Sequence, residues 1–142
     1  MKKDKTARKQ RPYPRIIAGC LALLVAAGIF YLSSIPASGM PSHSEVLNPI
    51  AHFLEYMLFA ALLTVAVNSP PRKLWISALI AIVIASLYGA SDELHQLFVA
   101  GRHCDPMDWL VDTIGALVGA SLVIWLIAAR RVKASRRRDE GV

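Results

Sequence analysis

The local signatures that most readily announce catalysis are missing from this chain of 142 residues. It holds no HExxH, no GxSxG and no cysteine in a reactive context, so metalloprotease, serine-hydrolase and thiol chemistry have no motif to rest on. Positive charge is missing from most of its length. Lys2, Lys3, Lys5, Arg8, Lys9, Arg11 and Arg15 form one block, Arg72 and Lys73 a second, and Arg130, Arg131, Lys133, Arg136, Arg137 and Arg138 a third; of the 16 basic residues only Arg102 falls elsewhere. A net charge of +6 confined to such blocks is no continuous basic face, and nucleic acid is not an expected partner. Cysteine is scarce as well, with only Cys20 and Cys104 present.

What fills the space between the basic blocks is hydrocarbon. A 55% hydrophobic composition and a mean hydropathy of +0.45 exceed what a soluble domain of this length carries. Four apolar runs stand out, at about 16–35, 50–67, 74–91 and 109–129. Each approaches the roughly 20 residues needed to cross a bilayer core. The expected fold is therefore an all-α membrane protein of four transmembrane helices: a basic arm at 1–15, a membrane domain at 16–129 and a basic tail at 130–142. Cytoplasmic segments retain Lys and Arg, which places both termini and the Arg72 loop inside. The expected location is a bacterial cytoplasmic membrane, crossed several times, with the basic ends against anionic lipid.

This topology puts Cys20 and Cys104 one membrane thickness apart, which excludes a disulfide between them. Ile17-Ala18-Gly19-Cys20 resembles a lipoprotein cleavage box, but only Ile16 and Ile17 separate Arg15 from Ala18, too few for a signal core. The first run has no charge and several small residues, so packing is its expected role; a signal peptide is the rival reading.

The acidic residues are concentrated where the topology predicts the outer ends of the second, third and fourth helices. Six of the ten, Glu55, Asp92, Glu93, Asp105, Asp108 and Asp112, fall there. His52, Glu55 and Tyr56 at i, i+3 and i+4 share a helix face. Asp92, Glu93, His95 and Gln96 span an arc of about 160°, with Asp92, His95 and Gln96 closest together. Arg102 follows in a short connection. Asp105-Pro106 suits a helix start, with Asp105 as the cap and Asp108 near the positive end of the helix dipole. Asp108, Asp112, Gly115 and Gly119 lie on one stripe, whose GxxxG permits close helix contact.

AHFLEYMLFAALL followed by GASDELHQLFVAGRHCDPMDWLVDTIGALVGA is similar to the VanZ-like family of bacterial membrane proteins, whose pattern is HF..Y..L and later E..Q.F..GR..D..D......G...G. The resemblance runs from about Asn48 to Ala120. This chain departs from it at Asn48 and Pro49, where many members carry Asp-Lys, at Ala100, where many carry proline, and at Asp112, where many carry Asn. What the resemblance implies is an association with low-level resistance to teicoplanin-type glycopeptides.

Three functional readings follow from the cluster. Ionisable residues at membrane depth mark sites, so the favoured reading is an outward pocket of His52, Glu55, Tyr56, Asp92, Glu93, His95, Gln96, Arg102, Asp105, Asp108 and Asp112. It would hold an envelope component such as a lipid head group, a lipid-linked wall precursor or a lipoglycopeptide, with Arg102 on a phosphate or carboxylate. A membrane-embedded hydrolase or transferase, by acid/base or metal chemistry, is the second reading. The third is a scaffold joined by interhelical polar contacts, Arg102 to Asp92 or Glu93 and His52 to Glu55 or Asp112. No cofactor or metal is called for by a motif, no oligomeric state is specified, and an inner half that offers no relay argues against a cation or proton transporter.

Overall fold

Each of four successive α-helices is long and apolar enough to cross a membrane. The computed structural model describes residues 13–39, 44–69 and 73–139, except the side chains of 44–48 and 139. The Pro70-Pro71 turn, Arg72, His43 and the arm before Tyr13 lie outside the described residues. Helix α1 covers Tyr13–Ser33, α2 Ser44–Val67, α3 Leu74–Gln96 and α4 Pro106–Asp139, with a short 3₁₀ turn at Ala37–Gly39.

The helix ends differ from those that composition suggests. Pro14 does not delay α1, because the first-turn N–H groups have no helical partner to lose. Pro49 lies inside α2 instead of opening it, and its missing N–H removes one bond near the helix start. Helix α3 continues past Ser91 to Gln96, which brings its polar end into the helix. Helix α4 runs on through the basic segment, ending with Arg136, Arg137 and Arg138 in its last turn, where cations suit the helix dipole.

Packing inverts the soluble pattern. Small side chains are buried, with Ala22, Ala60, Ala81, Ala85, Ala116 and Ala120 each at 2% exposure or less, while Leu23, Leu24, Leu87 and Trp125 are exposed. Lipid tails are as apolar as leucine, so close backbone approach holds such helices together instead of aliphatic burial. The closest approach is between α2 and α4. A Cβ added at Gly115 would stand 2.5 Å from the Phe53 carbonyl oxygen, and one at Gly119 would collide with the Met57 carbonyl oxygen. The GxxxG stripe therefore faces α2.

Neighbouring helices alternate in direction. Arg15 at the start of α1 donates Nε–H to the Ala66 carbonyl near the end of α2, at 3.3 Å. At the opposite end the two loops clasp, with the Ala37 N–H donating to the Ala100 carbonyl at 3.2 Å. Gly101 sits there at φ +76°, and a Cβ on it would meet the Ala37 Cβ at 3.0 Å. The start of α1 and the end of α4 thus share one end of the bundle, and the polar residues of α2, α3 and α4 gather at the other, the loop end.

Candidate functional site

At the loop end, the tight α2–α4 crossing determines which side chains meet. With Gly115 against Phe53 and Gly119 against Met57, the next turn of α4 toward the loops lies beside His52. There the His52 Nδ1–H donates to Asp112 Oδ1 at 2.9 Å, with His52 6% and Asp112 0% exposed. The other side of Asp112 fits because α3 has no side chain at Gly89. A Cβ there would stand 2.9 Å from Asp112 Oδ2 and 3.3 Å from Tyr56 Cε1. Tyr56, one turn along α2, stacks parallel to the His52 ring at 6.5 Å between centroids and is itself fully buried. Glu55 is half-buried and within electrostatic reach of His52, Asp92 and Asp112.

Helix α3 adds Asp92, Glu93 and Gln96, all buried. The Gln96 amide donates to Asp92 Oδ2 at 3.3 Å and to Glu93 Oε1 at 3.4 Å. Glu93 Oε2 accepts the Asp105 N–H at 2.7 Å, which pins the end of α3 to the start of α4. Asp105 is the N-cap that its sequence context suggests: its Oδ1 accepts the Met107 N–H at 2.8 Å, with Pro106 as the first helical residue. Asp108, half-buried, lies within electrostatic reach of His52, Glu93 and Asp112. His52, Asp92 and Glu93 each present one ligand-capable atom, and these atoms lie within 4.8 Å of one another.

Two expected members turn elsewhere. Arg102 does not pair with Asp92 or Glu93; its Nε–H and Nη2–H donate to the Ile35 and Leu32 carbonyls, each at 3.4 Å. These carbonyls lie in the last turn of α1 and just beyond it, where the helical ladder ends and a cation suits the helix dipole. His95 hydrogen-bonds Ser34 Oγ at 3.0 Å and packs on Phe30 at 4.6 Å between centroids. Asp92 and Gln96 are therefore joined by Glu93 and not by His95. Helix α1 likewise does more than pack, since it accepts Arg102, His95 and the Tyr88 hydroxyl, which donates to the Ala26 carbonyl at 2.7 Å. Gly89, Ser34 and Tyr88 escape a reading by charge and spacing. Gly89 has a sequence signal all the same: a glycine one turn before Asp92 in an apolar helix marks a close approach.

The electrostatics are one-sided. Glu55, Asp92, Glu93, Asp108 and Asp112 converge on one imidazole, with the nearest guanidinium turned to α1. Adjacent carboxylates in a poorly solvated place do not all ionise unless a proton, a cation or a cationic ligand intervenes. Asp112 Oδ2 and the Tyr56 hydroxyl are buried without a hydrogen-bond partner. Each such atom costs about 1–3 kcal/mol, which is a reason to expect a further group in the complete site. Chemically, a carboxylate holding Nδ1 fixes the imidazole orientation and leaves Nε2 for proton transfer or coordination.

The VanZ/LLP1 family model matches residues 18–128, more than half of the chain and all of the residues just described. Neither the curated proteins nor the solved structures include a match.

Proposed function

We propose, for a chain that belongs to the VanZ/LLP1 family, that the loop-end cluster binds the polar head group of an envelope lipid or lipid-linked wall precursor. The observation that carries this reading is the buried, acid-rich set of His52, Asp92, Glu93, Gln96 and Asp112 with two orphaned polar atoms beside it. Four helix ends can be joined with fewer charges. The distribution of Lys and Arg supports an outward-facing loop end, the depth at which head groups and wall precursors are found.

The commitment of Arg102 to α1 changes which head groups suit the site. Carboxylates and the Gln96 amide accept from and donate to sugar hydroxyls or amines directly, whereas a phosphate needs a bridging cation. An effect on susceptibility to teicoplanin-type glycopeptides, as the family resemblance implies, follows if the occupied site withholds or modifies a wall component. A hydrolase or transferase is the second reading, and the His52–Asp112 pair is the feature that favours it.

The test uses a host whose wall is exposed to the drug, with His52→Ala and Gln96→Ala compared with the wild type. Altered susceptibility should disappear at unchanged abundance of folded protein. A phenotype that persists in both variants would reject the cluster as its source.

A further inference from the structure

The geometry points to a divalent cation site formed by His52, Asp92 and Glu93, with Asp112 as the residue that orients His52. Three observations converge. One ligand-capable atom from each of the three residues lies within 4.8 Å of the others, and all three residues are buried. At about 2.0–2.2 Å per bond, two ligand atoms of a tetrahedral shell stand about 3.3–3.6 Å apart, so the triangle closes on an ion when its sides shorten by no more than about 1.5 Å, within the reach of side-chain rotation. The donor set of one imidazole and two carboxylates suits Zn²⁺ and Mn²⁺.

The second observation is the His52–Asp112 bond of 2.9 Å. With Nδ1 occupied, Nε2 is the nitrogen left to bind a metal, and metal-bound histidines almost always donate their other N–H to a carboxylate or carbonyl in this way. The third is independent of the triad: Asp112 Oδ2, which lies against Gly89, and the Tyr56 hydroxyl are buried and unpartnered. A structural polar knot would pair these atoms, whereas a water on the ion's outer sphere would satisfy them.

The charge balance agrees. A dication against Asp92, Glu93 and Asp112 with a neutral His52 leaves a net charge of −1 in place of the −3 of the three ionised carboxylates alone, an arrangement that a poorly solvated site tolerates far better. Three protein ligands leave at least one coordination position open, the mark of an operating site and not of a structural one. The open position would take a phosphate oxygen of the head group. That last step rests on the head-group reading; the metal site itself does not. A sequence reading without HExxH expects no metal, because these ligands come from two helices and their spacing carries no signature.

The experiment takes the full chain in detergent, stripped with chelator and dialysed against micromolar Mn²⁺ or Zn²⁺, with bound metal measured by mass spectrometry. Close to one ion per chain is expected for the wild type and for His103→Ala, which removes an exposed histidine outside the triad. His52→Ala and Asp92→Asn should lose the ion, and Asp112→Asn should weaken it by about 10–100-fold, as loss of an orienting partner does. A wild type without stoichiometric metal overturns the proposal, as does equal loading of the wild type, His52→Ala and Asp92→Asn. A variant that fails to fold leaves the wild-type stoichiometry and the other variant to decide. Retention of phosphate-bearing lipid with and without the metal separates the two claims. Metal without lipid contradicts the head-group reading alone, and lipid without metal contradicts the cation site alone.

Discussion

Replacing Gly115 with alanine tests the contact that brings Asp112 to His52. A Cβ at Gly115 would lie 2.5 Å from the Phe53 carbonyl oxygen, 3.2 Å from its carbon and 3.3 Å from the Met57 nitrogen. Ordinary contacts of this kind begin near 3.4 Å, so α2 and α4 must part by close to 1 Å. The obstructing atoms are backbone and cannot rotate away. Overpacking of this kind costs about 1–3 kcal/mol, and lost Cα–H···O contacts add about 0.5–1 kcal/mol each. Against this, alanine is the better helix former by about 0.5–1 kcal/mol. Net destabilisation of about 1–2 kcal/mol is expected, and Gly119→Ala should cost more, since its Cβ would collide with the Met57 oxygen. Gly28 supplies the opposite case: nothing lies within 4 Å of a Cβ there, so Gly28→Ala should be neutral or stabilising. Reversible unfolding in mixed micelles measures all three. If Gly115→Ala and Gly119→Ala are as stable as Gly28→Ala, the stripe faces lipid and the crossing is wrong.

Arg102→Ala should destabilise by about 0.5–2 kcal/mol through loss of its bonds to the end of α1. Adding Asp92→Asn should not rescue it, whereas rescue would mean that the guanidinium pairs with the acids after all. Glu93→Ala removes the acceptor of the Asp105 N–H and should cost about 1–3 kcal/mol in thermal or denaturant unfolding; Glu93→Gln keeps an acceptor and should fall well below that. An impermeant thiol reagent should modify Cys104 in intact cells and should not modify a cysteine placed at Ser135, the reverse of which would invert the topology.

Helix number and the polar face of α2 were legible because they depend on period and length alone. His52 and Tyr56 stand one turn apart, and any helix there puts them on one side. The Gly115–Gly119 contact was legible for the same reason, since glycines one turn apart have few uses in a lipid-bathed helix other than close approach. The rest depended on distances between helices, which no spacing encodes. Which of Glu93 and His95 joins Asp92 is decided by where α1 lies, because α1 offers Ser34 and Phe30 to one side of α3. Charge alone points Arg102 to the acids, yet carbonyls at a helix end compete with carboxylates for a guanidinium. The helix start at Tyr13 is obscured by Pro14, which opposes a helix interior but not its first turn, and the start at Ser44 by Pro49, which α2 carries inside it at the loss of one backbone bond.

The central claim is that the loop-end cluster is a binding site and not interhelical glue. The measurement that tests it most directly is envelope lipid retained per folded chain, by native mass spectrometry of protein from bacterial membranes, for the wild type, His52→Ala and Asp92→Asn alongside their melting temperatures. The account predicts a phosphate- or sugar-bearing lipid enriched on the wild type and lost per folded chain from both variants, with His52→Ala melting lower because Asp112 loses its bond. Identical lipid profiles for all three proteins, or a loss of lipid that follows the loss of folded protein, would contradict it.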